Sequence, residues 1–226
     1  MDSYNISVNC AFGVENILNR ELAALGYLNL KADNGSFCFN GTAQDIADCN
    51  MFLRTAERVY IVLAKFTAAT FDALFDGVFN IDWQDFFTSD AKIIVNAKSV
   101  KSTLFALSSI QSIAKKAIIK KLAAKTGKSV FLETGADYGV EINITKDIVS
   151  VLLDTSGIGL HKRGYRDYVA QAPLKETLAC ALLFLSDFSF DLPFCDPFCG
   201  SGTIVIEAAR IALRNVTGVH TCALPI

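Results

Sequence analysis

The stretch "FCDPFCGSGTIVIEAA" (Phe194–Ala209) decides how the fold is read. It has the pattern of a strand, a glycine-rich turn at Cys199-Gly200-Ser201-Gly202-Thr203, and a helix that Ser201 or Thr203 can cap. At the end of a parallel strand, such a turn brings backbone close to a ligand. It also aims the first N–H groups of the next helix at that ligand. The turn has no lysine, which disfavours a nucleoside triphosphate, and Val205 stands where a dinucleotide fingerprint needs its third small residue. Cys195 and Cys199 have no histidine or second cysteine pair nearby, so no metal site is expected.

Composition bounds the rest. The chain has 226 residues, 52% of them hydrophobic, and a formal net charge of -2, which suits one large or two small globular domains. Apolar runs such as "RVYIVLAKF" and "DIVSVLLD" are too short to span a membrane, and "MDSYNISVNC" lacks the marks of a signal peptide. Seven cysteines, an odd number without repeated spacing, point to a reduced, cytoplasmic chain. Charge is uneven. Residues 1–90 hold 5 Lys/Arg against 12 Asp/Glu, whereas residues 91–180 hold 14 against 7. The basic middle is either a surface for a polyanion or a set of solvated helix faces.

Working outward, "YNISVNC" alternates as a strand, and Val14, Ile17, Leu18, Leu22 and Leu25 follow at helical spacing up to a stop at Gly26. "GSFCFNG" predicts a short strand, and Thr42 begins a helix that leads into a β-rich run. "AKIIVNAKSVKSTLF" predicts a strand and a polar loop. "SSIQSIAKKAIIKKLAAKTGK" predicts a helix capped by Ser108 or Ser109, with Ile110, Ile113, Ala114, Ala117 and Ile118 inward. "YGVEINITKDIVSVLLD" predicts a hairpin turning at Thr145 to Asp147. A helix from about Lys175 is expected to bury Leu178, Ala181, Leu182 and Leu185.

The octet "DPFCGSGT" (Asp196–Thr203) resembles motif I of class I S-adenosylmethionine-dependent methyltransferases that act on exocyclic amines. With "LLDTSGIGLHKRGYR" (Leu152–Arg166), "APLKETLACALL" (Ala172–Leu183), "CAFGVENILNRELAALGY" and "TAERVYIVLAKFTAATFDALFDGV", the chain resembles THUMP-domain methyltransferases of the 23S ribosomal RNA guanine-N2 family. The resemblance implies a mixed α+β and α/β fold in four parts. These are a ferredoxin-like unit over 1–57, a THUMP RNA-binding domain over 58–158, the start of a Rossmann-like methyltransferase domain over 159–215, and a tail over 216–226.

It also implies S-adenosyl-L-methionine as cofactor and large-subunit ribosomal RNA as partner, with no metal and no membrane. Asp196, Pro197, Phe198, Cys199, Gly200, Ser201, Gly202 and Thr203 would line the cofactor, Asp196 facing its ammonium group. Pro173 and Leu174 would close over it, although Pro173 also suits a plain helix start. Phosphate contacts are expected from Lys98, Lys101, Lys115, Lys116 and Lys120, and from His161, Lys162, Arg163 and Arg166 beside Tyr165. The alternative for the second group is a connecting strand with a solvated basic face.

The family pattern is incomplete. The ribose-binding acid and the Asn-Pro-Pro-aromatic motif do not occur, so no catalytic residue is assigned. The ending "VTGVHTCALPI" (Val216–Ile226) resembles translated sequencing-adapter DNA and is left out of the fold reading. The expectation is an enzyme fragment that binds RNA weakly, does not turn over, and exposes apolar surface on the helices of 175–213. A non-catalytic RNA-binding protein and a transfer-RNA or adenine methyltransferase are the alternatives.

Overall fold

A computed structural model describes residues 3–33, 35–126, 131–165, 173–186, 188–189 and 191–214. They form two compact units, Met1–Val59 with Ile158–Ile226, and Tyr60–Gly157. Packing thus joins the first and third of the divisions expected from sequence. The fold is the expected mixture of strands and helices, with a mixed sheet and flanking helices. Arg166 and the whole of 216–226 lie outside the described residues.

The first unit opens with β1 (Tyr4–Cys10), α1 (Glu15–Ala24), β2 (Lys31–Asp33), β3 (Ser36–Gly41) and α2 (Ala43–Phe52), then enters β4 (Ala56–Thr67). Its strands run β2-β3-β1, with β1 and β3 antiparallel from Tyr4↔Gly41 to Asn9↔Ser36. Alternation puts Ile6, Val8, Phe37 and Phe39 on a buried face, and Leu18, Leu22, Ile46 and Leu53 are buried with them. Thr42 caps α2 as expected. Its hydroxyl accepts from the Asp45 N–H while the Asp45 carboxylate takes the Thr42 N–H at 2.6 Å, a reciprocal capping box.

The same unit holds α5 (Glu176–Leu185) and α6 (Thr203–Ala212), and Val14, the N-cap of α1, and Ile17 of α1 pack on Ala181, Leu178 and Phe184 of α5. Two expectations fail here. Leu182 and Leu185 are 48% and 64% exposed, and α5 turns Ala179, Cys180 and Leu183 inward instead. The reason is a polar one, because Cys180 lies against a buried ion pair described below. The strand expected before the glycine turn is also missing, since Pro193–Asp196 has no ladder partner among the described residues. A strand exists through its pairing, and alternation alone does not supply a neighbour.

The second unit continues β4 and adds α3 (Phe71–Phe79), a short 3-10 turn (Trp83–Asp85), β5 (Lys92–Val100), α4 (Leu107–Thr126), β6 (Asp137–Thr145) and β7 (Ile148–Asp154). The strand order is β4-β7-β6-β5, with only the β5/β6 pair parallel. One face, carrying Ile93, Val140, Ile142, Val149 and Val151, is buried together with Leu74 and Val78 of α3 and Ile110, Ala114, Ala117 and Ile118 of α4. Trp83 is fully buried and donates its indole N–H to the Val78 carbonyl at 2.8 Å.

The hairpin turns where expected, through Lys146 and Asp147 at φ of 52° and 61°. This mirror-image turn matches strand twist. Ser108 and Ser109 do not cap α4, because the helix already starts at Leu107 and Ile110 N–H donates to the Ala106 carbonyl. The buried stripe of α4 begins at Ile110, since Leu107 is exposed.

Candidate cofactor turn and candidate RNA surface

The glycine turn lies in the first unit. Gly200 and Gly202 have φ of +53° and +75°, values that L side chains rarely adopt. Gly202 is the N-cap of α6 and has no side-chain cap, so Thr203 and Ser201 do not cap the helix as expected. Their hydroxyls face each other at 3.3 Å. The Asp196 carboxylate accepts the Phe198 N–H through Oδ1 at 3.1 Å, and Cys199 closes the turn by accepting Gly202 N–H at 2.8 Å. Pro197, Phe198, Cys199 and Ser201 are exposed, and a Cβ added at Gly200 would meet no atom within 4 Å.

The result is an open cradle of backbone with uncapped helix N–H groups and one half-exposed carboxylate at its start. That donor set fits a ligand carrying an ammonium group next to a polar backbone-seeking end. Pro173 and Leu174 are half-buried on the approach to α5.

Beneath the turn, α6 is anchored by residues that sequence reading either assigned elsewhere or missed. Arg163, expected to grip phosphate, is buried. Its guanidinium forms an ion pair with Glu207 in which both side chains are 0% exposed. Arg163 also donates to the Arg54 carbonyl at 2.5 Å and to the Leu160 carbonyl at 3.3 Å. Glu207 further accepts from Tyr165 Oη at 2.8 Å and from Cys180 Sγ at 3.1 Å. Arg163 is therefore a structural cation, because a charge of opposite sign on α6 makes its burial tolerable.

Next door, Glu21 of α1 accepts from Arg54 N–H at 2.8 Å and Thr55 N–H at 2.9 Å. The available signal for Glu207 was a lone acid within the apolar run "TIVIEAA", four residues from buried Thr203 and so on the same face. Of the rest of that basic cluster, Lys162 is exposed and His161 is half-buried. Burial, followed by the nearby Lys175 charge, holds the imidazole below its usual value.

In the second unit the candidate lysines separate by what they touch. Lys98 pairs with Glu141 at 2.7 Å, and Glu141 also accepts from Tyr60 Oη at 2.9 Å. Lys115 pairs with Glu133 at 2.9 Å. Lys120 lies 5.5 Å from the Phe75 ring centroid, and Lys121 forms an ion pair with Asp82 at 3.5 Å. Lys116 and Lys101 are exposed. Among the described residues there is no cluster of metal-ligating side chains and no helix long and apolar enough to cross a membrane.

Three family descriptions match the chain: the RlmL ferredoxin-like domain over residues 5–60, the THUMP domain over 68–154, and an RMKL-like methyltransferase domain over 163–223. Bacillus subtilis YpsC, named provisionally as an RNA methyltransferase, is 47% identical over 220 residues, which are 96% of this chain and 57% of that protein. The ribosomal RNA large subunit methyltransferase K/L of Buchnera aphidicola is 30% identical over 92% of this chain and 30% of its own length. The crystal structure of SMU.472, described provisionally as a methyltransferase and complexed with SAH, superposes with a TM-score of 0.89. It shares 42% identity over 96% of this chain and 58% of that one. The chain thus spans little more than half the length of YpsC.

Proposed function

Since the chain belongs to the methyltransferase family in which an RlmL ferredoxin-like domain and a THUMP domain precede an RMKL-like methyltransferase domain, we propose that it serves S-adenosylmethionine-dependent methylation of RNA. The observation that carries this reading is the open turn of Asp196 to Thr203, with two left-handed glycines and an uncapped α6 behind it. In this reading Asp196 accepts from the cofactor's ammonium group, and the backbone from Cys199 to Gly202 cradles its methionine end. The cofactor supplies the methyl group. The chain's own residues hold and orient it, and no side chain is assigned to activating the acceptor.

The finer reading is methylation of guanine N2 in large-subunit ribosomal RNA by a cytoplasmic protein. The name of the Buchnera aphidicola relative and the basic composition of residues 91–180 support its large-subunit ribosomal RNA part.

Titration calorimetry with S-adenosylhomocysteine tests the turn. Binding is expected, with Asp196→Ala and Gly202→Ala each weakening it about ten-fold, the cost of one charge-assisted hydrogen bond or one forced left-handed residue. Absence of binding, or affinity unchanged in both variants, overturns the cofactor assignment. Nucleoside analysis of ribosomal RNA from cells with and without the gene tests the acceptor. Loss of N2-methylguanosine from large-subunit RNA supports the finer reading. A loss confined to transfer RNA or to methyladenosine overturns it.

A further inference from the structure

Several lysines of the basic middle segment are already paired with carboxylates. Lys92 pairs with Asp137 at 3.0 Å, Lys98 and Lys115 pair with Glu141 and Glu133, and Lys121 pairs with Asp82. A lysine neutralised by a neighbouring carboxylate offers little net attraction to phosphate. One end of the second unit, where the β5–α4 loop meets the β6–β7 turn, differs. Lys101 and Lys146 stand there exposed, and no carboxylate pairs with either among the described residues. Phe105 shares this end and is 80% exposed.

The two loops are tied together. Asp147 accepts from Thr103 N–H at 2.6 Å and from Thr103 Oγ1 at 3.2 Å, and its own N–H donates to Ser102 Oγ at 3.2 Å. Lys146 N–H donates to the Val100 carbonyl at 3.2 Å, and Ser99 Oγ donates to the Leu104 carbonyl at 2.5 Å. Leu104 is buried, so the residue before Phe105 anchors the loop while Phe105 points out of the core. Lys101, Lys146 and Asp147 all sit at positive φ, a backbone state disfavoured for side chains with a Cβ. Asp147 directs its carboxylate oxygens to Thr103 and forms an ion pair with neither lysine, so this end keeps two cations against one carboxylate.

We propose that this braced end, with Phe105, Lys101 and Lys146, is the surface on which the second unit holds unpaired RNA, a base stacking on Phe105 and phosphates resting on the two lysines. An exposed ring accepts any base face, and flanking lysines engage the backbone, which is the combination single strands use. A duplex buries its base faces and would leave Phe105 idle. Two unpaired cations beside the ring make a purely apolar protein partner the poorer fit. The inference rests on the RNA reading above, and it adds Phe105 and Lys146 to the residues expected from sequence.

The test is fluorescence anisotropy of the 226-residue chain with a short labelled single-stranded RNA and with a blunt RNA duplex, over a range of salt. The variants are Phe105→Ala and the pair Lys101→Gly with Lys146→Asn, both replacements being compatible with positive φ. Phe105→Ala is expected to weaken single-strand binding about ten-fold and to leave duplex binding unchanged. The lysine pair should reduce the slope of log K against log salt by about 1.4, from roughly 0.7 per phosphate contact. Circular dichroism melts matching the wild type confirm that the variants fold.

Wild-type affinity and salt slope in folded variants would overturn this surface while leaving RNA recognition in place elsewhere. Failure of the wild-type chain to bind either RNA would overturn both readings.

Discussion

Replacing Arg163 with methionine is expected to release α6 and with it the glycine turn. Both members of the Arg163–Glu207 pair are fully buried, so deleting the cation leaves a carboxylate whose remaining partners are Tyr165 Oη, Cys180 Sγ and the more distant Arg210 Nε at 3.9 Å. The Arg54 and Leu160 carbonyls lose a donor as well. Breaking a buried pair from one side costs about 3–5 kcal/mol, and the polar atoms left behind put this site near the middle, about 4 kcal/mol. That corresponds to roughly a thousand-fold increase in the opening equilibrium.

Hydrogen exchange followed by mass spectrometry reads it directly in peptides covering α5 and α6, where amide protection should fall by that factor. The double variant R163M/E207M removes both charges and fills the volume with apolar atoms, and should return to within about 1 kcal/mol of wild type. Lys162→Met, an exposed neighbour, should change protection by less than about 0.5 kcal/mol. A loss below about 1 kcal/mol in R163M, or a double variant as poor as the sum of the singles, would refute the view that this pair anchors the turn.

Other consequences are more local. Thr42→Ala should cost about 1 kcal/mol through loss of the cap on α2. The Thr42 N–H bond holds the Asp45 carboxyl below its usual value. Its stabilisation is therefore present above the ordinary carboxylate pKa of about 3.9 and lost as pH falls through the lower folded value, a dependence that Asp45→Asn should remove from acid melts. Gly77→Ala would normally favour a helix by about 1 kcal/mol. Here the new Cβ falls 2.2 Å from the Phe66 ring, so the melting temperature should drop instead. Burial pushes the Cys49 and Cys180 thiols up to about 12, whereas Cys195 and Cys199 are exposed. Brief iodoacetamide treatment near neutral pH should label the exposed pair and spare the buried one until denaturant is added, as read by peptide mass spectrometry.

Local pattern alone determined much of this protein. Alternation in "YNISVNC" and "YGVEINITKDIVSVLLD", the Thr42 cap and the apolar stripe of α4 each depend on residues within one or two turns of chain. For that reason they were legible from sequence. The glycine turn was legible for the same reason, because positive φ at Gly200 and Gly202 is a property of the residue type at that point.

What tertiary structure decided were the partners. "LHKRGYR" has the same appearance whether Arg163 meets phosphate or Glu207, and the acid that settles it lies 44 residues away. The same distance problem hid which face α5 buries. It also hid which lysines of the basic segment are neutralised, since Lys98 and Glu141 meet across the β5–β6 pairing. Charge counts show that the middle segment is basic. Pairing across the fold leaves Lys101 and Lys146 unneutralised beside an exposed Phe105, because a counter-ion is a neighbour in space and need not be one in sequence.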